Sequence, residues 1–482
     1  MDVRHSRALR LAEGISAESE ETLLGRLERS RVAIAVGKGE DSVLTAEVLV
    51  DTLRRLPIQL VLESDSLEAD EIGRISEIAA RIDPGRGIRI GCNGDEDVLV
   101  AVGCERRDAT IAGMPVRHGA LVVSGRSLGG PDVGASGLGA FTCAALLAGE
   151  VFKRIASVRP ERASYNDRIA WCPVRLDEKP WDSPELDGPL CLDLALVGQG
   201  AIGTAITRIL SLLGAEGRVQ LIDPERFGPE NLGTYSLGVA ADAENEPWKV
   251  DLGAAALPGM SVATHVGTAA SFIEAVDRGE GIWPALALTG LDSPGARREA
   301  QRLWPDRLID GATGDTMCGL HDVVFSETAC LMCLFPERRE GPTAAERLAE
   351  ATGLPVEVVS RGDRPLLEAH LASLDAKQRH VLQPLLGQPI CGLAEAVGLT
   401  DLAAGHYRPS VPFVSQQAAC MVVGRLVAGM IEPGQLAANF VQYDALIGPW
   451  AATRESRKPL PDCYCQVRGE LLESVRKLRR TQ

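Results

Sequence analysis

Aromatic residues are scarce in this 482-residue chain, 4% of the total, and basic residues are outnumbered, 50 Lys+Arg against 66 Asp+Glu. The resulting net charge of −16 excludes the broad basic face that grips nucleic acid, and it has the wrong sign for an anionic membrane surface. No uninterrupted apolar run approaches the ~18–20 residues that cross a bilayer, so no transmembrane helix and no membrane partner are expected. The opening MDVRHSRALRLAEG lacks the apolar core of a secretory signal, which sets the expectation of a cytoplasmic protein. In that compartment the 12 cysteines read as thiols, metal ligands or nucleophiles rather than disulfides. The seven histidines show no pair at metal-ligand spacing, and His321 and His406 stand alone.

What is present is glycine, 50 residues of it, with 45% hydrophobic residues. That composition suits an α/β protein with many tight strand-to-helix turns. At roughly 150 residues per domain the length allows two to four domains. RVAIAVGKG (31–39), IQLVLES (58–64), GIRIG, DVLVAVG and HGALVVSG read as strands between helical patterns, closed by a helix over 139–156. This alternation predicts a mostly parallel, Rossmann-like sheet. Residues 157–190, with five prolines and little periodicity, read as a linker. A second alternating series starts at LDLALVGQGAIG (192–203) and carries an insertion over 337–409 that reads as helical and charged. The expected domains are therefore 1–156, a linker 157–190, and 191–482.

Gly198, Gly200 and Gly203 form G-x-G-x-x-G directly after a strand and at the start of a helix. The first glycine makes the turn, the second lets backbone approach a phosphate, and the third allows tight packing, while the helix N-terminus favours an anion. Asp223 follows 20 residues after Gly203 at a strand end, the place for a carboxylate that grips ribose hydroxyls. The turn by itself says nucleotide and does not choose between NAD and ATP.

The downstream residues choose. Asp223-x-Glu225, Asn231-Leu232, Lys249, and Asp292 with Arg297 five residues on follow in order. This pattern resembles the ThiF, MoeB and ubiquitin-activating (E1-like) adenylating enzymes. The resemblance implies an adenylation fold over 191–482 that uses ATP to convert a carboxylate into an acyl-adenylate. It implies that Lys249 contacts phosphates, that Asp292 holds Mg2+, that Asp223 holds the ribose, and that Glu225 and Asn231 belong to the nucleotide site. Arg297 falls on a catalytic position of the pattern. One departure stands out: the family's Asn-Leu-x-Arg-Gln box reads Asn231-Leu232-Gly233-Thr234-Tyr235 here, so the phosphate-binding arginine is Thr234. Arg226, Arg297 and Arg298 are candidate replacements.

The N-terminus resembles the opening of the same family, which places Arg7 on the arginine that reaches across a dimer to the partner's ATP. Gly37 and Gly39 keep part of a glycine turn, but Ser42 replaces its third glycine. Residues 1–156 therefore read as a degenerate, non-catalytic half, the alternative being an unrelated substrate-binding domain. Cys330-x-x-Cys333 and Cys463-x-Cys465 match the two places where relatives carry zinc ligands, which implies structural Zn2+. Cys391, in Pro389-Ile390-Cys391, lies where ubiquitin-activating enzymes carry a thioester nucleophile, with Cys318 a weaker rival. The expected partner is a small sulfur-carrier or ubiquitin-like protein; the alternatives are a peptide or small acid, a substrate-presenting pseudoenzyme, and an NAD-dependent oxidoreductase. A homodimer is a further expectation.

Overall fold

The computed structural model describes residues 3–16, 18–91, 94–126, 128, 134–186, 188–336, 344–360, 364–390, 393, 397, 410–431 and 438–481. Two mixed, mostly parallel sheets carry the α/β architecture. The first contains β1 (Arg31–Val36), β2 (Gln59–Glu63), β3 (Ile88–Ile90), β4 (Val98–Val102), β5 (Ile111–Val116), β6 (Gly119–Ser124) and β7 (Arg168–Trp171), in the order 3-2-1-4-5-6-7. The second contains β8 (Cys191–Val197), β9 (Glu216–Ile222), β10 (Met260–His265), β11 (Leu286–Thr289), β12 (Arg307–Gly314), β13 (Met317–Val324), β14 (Phe440–Asp444) and β15 (Thr453–Glu455), in the order 10-9-8-11-12-13-14-15.

The two orders are the same plan run twice. In each sheet the first strand pairs in parallel with the second and fourth, and the last strands turn antiparallel. Strand order therefore reverses beside β1 and beside β8, and such switch points open a crevice at the carboxyl ends of the strands. Residues 157–190 do more than connect, since β7 extends the first sheet. Within 337–409, the described residues form short helices around a small core of their own, including Leu348, Val359, Leu371 and Leu382.

Four helices cement the halves. We number the helices α1 (Ser6–Ser16), α2 (Glu20–Arg29), α3 (Glu40–Arg54), α4 (Ala69–Ile82), α5 (Gly137–Ile155) and α6 (Ala201–Leu212). The late helix, Pro412–Ile431, completes the layer with α3, α5 and α6. The rings of Phe152 and Phe413 meet across it at 5.4 Å. By length and composition the late helix could cross a membrane, but residues 412–427 are all buried inside the protein. Its polar groups are paired there: Gln416 Nε2 donates to Thr52 Oγ1 (2.9 Å), Tyr443 donates to Gln417 (3.1 Å), and Arg425 bonds Asp322 (2.7 Å). Such pairing is what a buried polar side chain in a core helix requires.

Candidate nucleotide-binding site

The crevice at the carboxyl end of β8 holds the glycine turn. Gly198 has φ +91°, a left-handed conformation that side chains other than glycine rarely adopt. A Cβ on Gly203 would lie 1.9 Å from the Gly198 carbonyl oxygen, so the helix start can close onto the strand end only without a side chain there. Gly200 caps α6, whose first turn contains no acidic residue. With no acidic residue in that turn, the helix dipole favours an anion there.

Asp223, just past β9, is buried beneath the turn. One carboxylate oxygen accepts the Gln199 N–H (2.7 Å) and the other accepts the Glu225 N–H (2.8 Å). Burial raises its pKa, while Lys249 and the two N–H donors pull it back. Each oxygen keeps a further lone pair for a ligand hydroxyl.

Lys249 is 3% exposed. Its Nζ donates to Glu225 Oε2 (2.5 Å) and to Tyr235 Oη (2.9 Å). Burial alone would lower the pKa of this amine, but Tyr235, Glu225 and Asp223 outweigh it and hold it above the ordinary lysine value. The site therefore contains a buried ammonium held between a carboxylate and a phenol oxygen. Asn231 is buried and its Oδ1 accepts the Gly228 N–H (2.9 Å), which fixes the bend ahead of Thr234 and Tyr235. Thr234 is buried, and its hydroxyl has no partner among the described residues.

The N-terminal half reaches this box. The Arg4 carbonyl packs directly on Gly233, and Arg55 Nη1 donates to the Leu232 carbonyl (2.8 Å). Asp51 joins Arg55 (3.1 Å) to Arg208 of α6 (2.6 Å). Arg7 lies near enough that its charge acts on Tyr235. Burial raises the Tyr235 pKa, and the Lys249 and Arg7 charges offset part of that.

Asp292 lies exposed after β11. Arg297 is differently placed from a cation that waits for phosphate. It is 4% exposed, its Nε bonds Asp310 (3.1 Å), and its Nη2 donates to the carbonyls of Leu291 (2.5 Å) and Gly311 (3.4 Å). Asp310 also accepts from Thr289 Oγ1 (2.5 Å) and pairs with His321 Nδ1 (2.7 Å). Spacing along the sequence pointed to Arg297 but not to Asp310, whose signal is a lone carboxylate in the otherwise apolar LIDGA. Arg226 stacks on Trp248 (3.9 Å), and Arg298 bonds the Phe335 carbonyl (3.4 Å). Cys391 and His406 lie outside the described residues. Cys318 is fully buried, donates to the Val414 carbonyl (3.2 Å), and is held well above the usual thiol pKa by burial, so it is not placed to act as a nucleophile.

The matching end of the first sheet is lined differently. α3 begins with Glu40 and Asp41, carboxylates that neutralise the helix end. Ser42 packs its side chain on Gly103. Arg106 pairs with both Glu63, at the end of β2, and Asp108.

Residues 191–466, more than half of the chain, match the ThiF family. The chain belongs to the ThiF family. No curated protein matches the chain. Among solved structures, E. coli MccB with SeMet MccA aligns at 14% identity over 57% of this chain and 66% of that one, TM-score 0.37. E. coli MccB alone aligns at 12% identity over 57% and 64%, TM-score 0.36. The alignment thus spans less than two thirds of the MccB chains.

The ThiF match takes in both cysteine pairs. Cys330, Cys333, Cys463 and Cys465 bring four sulfurs within 4.8 Å of one another. The separations 330–333, 330–463 and 333–465 are 3.6, 3.7 and 3.6 Å. Four thiolates at ~2.3 Å from a tetrahedral zinc would stand about 3.8 Å apart, so the donor set fits a structural metal.

Proposed function

We propose that this ThiF-family chain adenylates a carboxylate with ATP. The observation that carries the reading is the buried Lys249 ammonium, fixed beside the Gly198–Gly203 turn with Asp223 at its base. A substrate carboxylate oxygen attacks the α-phosphorus, a bond forms between them, and the bond to the pyrophosphate oxygen breaks, leaving acyl-AMP and pyrophosphate. Negative charge spreads over the phosphate oxygens in the transition state, which favours preorganised donors and cations. Lys249, the α6 N-terminus and Arg7 would supply these, and Asp223 would hold the ribose. Asp292 is the proposed ligand for Mg2+, which would neutralise phosphate charge.

Residues 1–156 serve as the non-catalytic half in this reading, supported by Glu40, Asp41 and the Arg106–Glu63 pair at the equivalent crevice. Zn2+ on the four cysteines is a structural cofactor. The substrate is the C-terminal carboxylate of a small carrier or ubiquitin-like protein, or of a peptide. Transfer to Cys391 as a thioester would be a second step.

ATP–pyrophosphate exchange in the presence of peptides ending in Gly-Gly tests the first step. Exchange should be lost in Asp292→Asn and Lys249→Ala. Undiminished exchange in both variants would remove the assignment of this crevice. A thiol-sensitive acyl adduct absent from Cys391→Ala supports the second step, and an adduct retained there removes it.

A further inference from the structure

The crevice contains a hydroxyl whose proton has no acceptor among the described residues. Tyr235 is 6% exposed, and Lys249 Nζ is the hydrogen-bond partner of its Oη among the described residues. An ammonium has donors only, so in this bond the phenol oxygen accepts and its own O–H is left to donate. A hydroxyl that accepts from a cation is polarised into a stronger donor. The oxygen faces the glycine turn: a Cβ built on Gly200, the N-cap of α6, would lie 3.8 Å from it. The ring cannot easily swing away, because it packs edge-on to Phe227 (centroids 5.8 Å apart, 69°) and lies 5.0 Å from the Lys249 ammonium.

Neighbouring groups call for an anion as the missing acceptor. Lys249, Arg7 and the α6 N-terminus bring positive charge to the hydroxyl, against the one carboxylate of Glu225, which Lys249 already binds (2.5 Å). We infer that Tyr235 is a phosphate-binding residue whose hydroxyl donates to an oxygen of the nucleotide's phosphate chain, so that Tyr235 and Lys249 act as a paired donor beside the glycine turn. The inference rests on the nucleotide reading of the crevice.

Tyr235→Phe keeps the ring and its packing and removes only the hydroxyl. Calorimetric titration of the full chain with Mg2+ and a non-hydrolysable ATP analogue should show affinity about tenfold or more weaker than in the unsubstituted protein, the loss expected for a hydrogen bond to a charged group. Adenosine, measured in parallel up to millimolar concentration, should bind both proteins alike. Equal affinity for the ATP analogue in the two proteins overturns the inference. So does a parallel loss for adenosine, which marks a general collapse of the crevice. If the unsubstituted chain fails to bind the ATP analogue, the nucleotide reading itself fails, a distinct result.

Discussion

Asp310 is a fully buried carboxylate with three donors on it, from Thr289, Arg297 and His321. Through Arg297 it fixes the Leu291 carbonyl, and so the backbone that presents Asp292. Asp310→Asn keeps the shape and removes the charge, leaving a guanidinium buried and uncompensated. Breaking a buried pair in this way costs about 3–5 kcal/mol, and urea denaturation should read a loss of that size. Exchange activity should fall together with stability; an unchanged denaturation midpoint would show that Arg297 finds other partners. The contrast with the glycine turn explains which residues the sequence could reveal. Gly198, Gly200, Gly203 and Asp223 announce themselves because their geometry is local: a turn, a helix start, a strand end. Tyr235 and Asp310 depend on partners brought from other elements, and no spacing rule marks them. Arg297 was visible by its spacing, yet its burial was not, and burial decides what a guanidinium can do.

Among the strands of the first sheet, five were legible and two were not. β5, IAGMPV, contains Gly113 and Pro115, residues that argue against a strand, yet it pairs with β4 and β6. β7 hides among the prolines of 157–190 because a short edge strand needs only a few ordered residues. The four-cysteine knuckle was legible as two pairs, though their convergence comes from the fold. It ties the short turn Leu331–Leu334 to the C-terminal segment, where Tyr464 stacks on Trp304 (6.3 Å) and Arg479 bonds Asp277 (2.7 Å). Elemental analysis should find one zinc per chain, absent from Cys463→Ser. Structural zinc binding is a source of folding free energy, and each kcal/mol lost moves the melting midpoint by roughly 2–4 °C in domains of this size. The variant and the chelated protein should therefore melt at similarly lowered temperatures.

Across the whole molecule, one continuous core runs from α1 through both sheets to the late helix. The repeated strand order and the repeated late apolar helix give the halves one plan, which the sequence shows only faintly because Ser42 stands where the first half would need its third glycine. Phe413 lies where the copies meet, against Phe152 and beside Gly149. Truncation of a buried phenylalanine costs about 3–5 kcal/mol. Phe413→Ala should lower the stability of both halves together, and hydrogen exchange in β1 and β8 should accelerate in parallel. Acceleration confined to one sheet would mean that the halves fold as separate units.

The segment that carries Arg4 and Arg7 lies on the Asn231–Tyr235 box of the other half of the same chain. That contact is intramolecular, so its strength is set by chain connectivity and not by how many molecules share the solution. A charge borrowed from a separate subunit is lost on dilution. Here the two sides of the contact are one polypeptide, and dilution leaves them together.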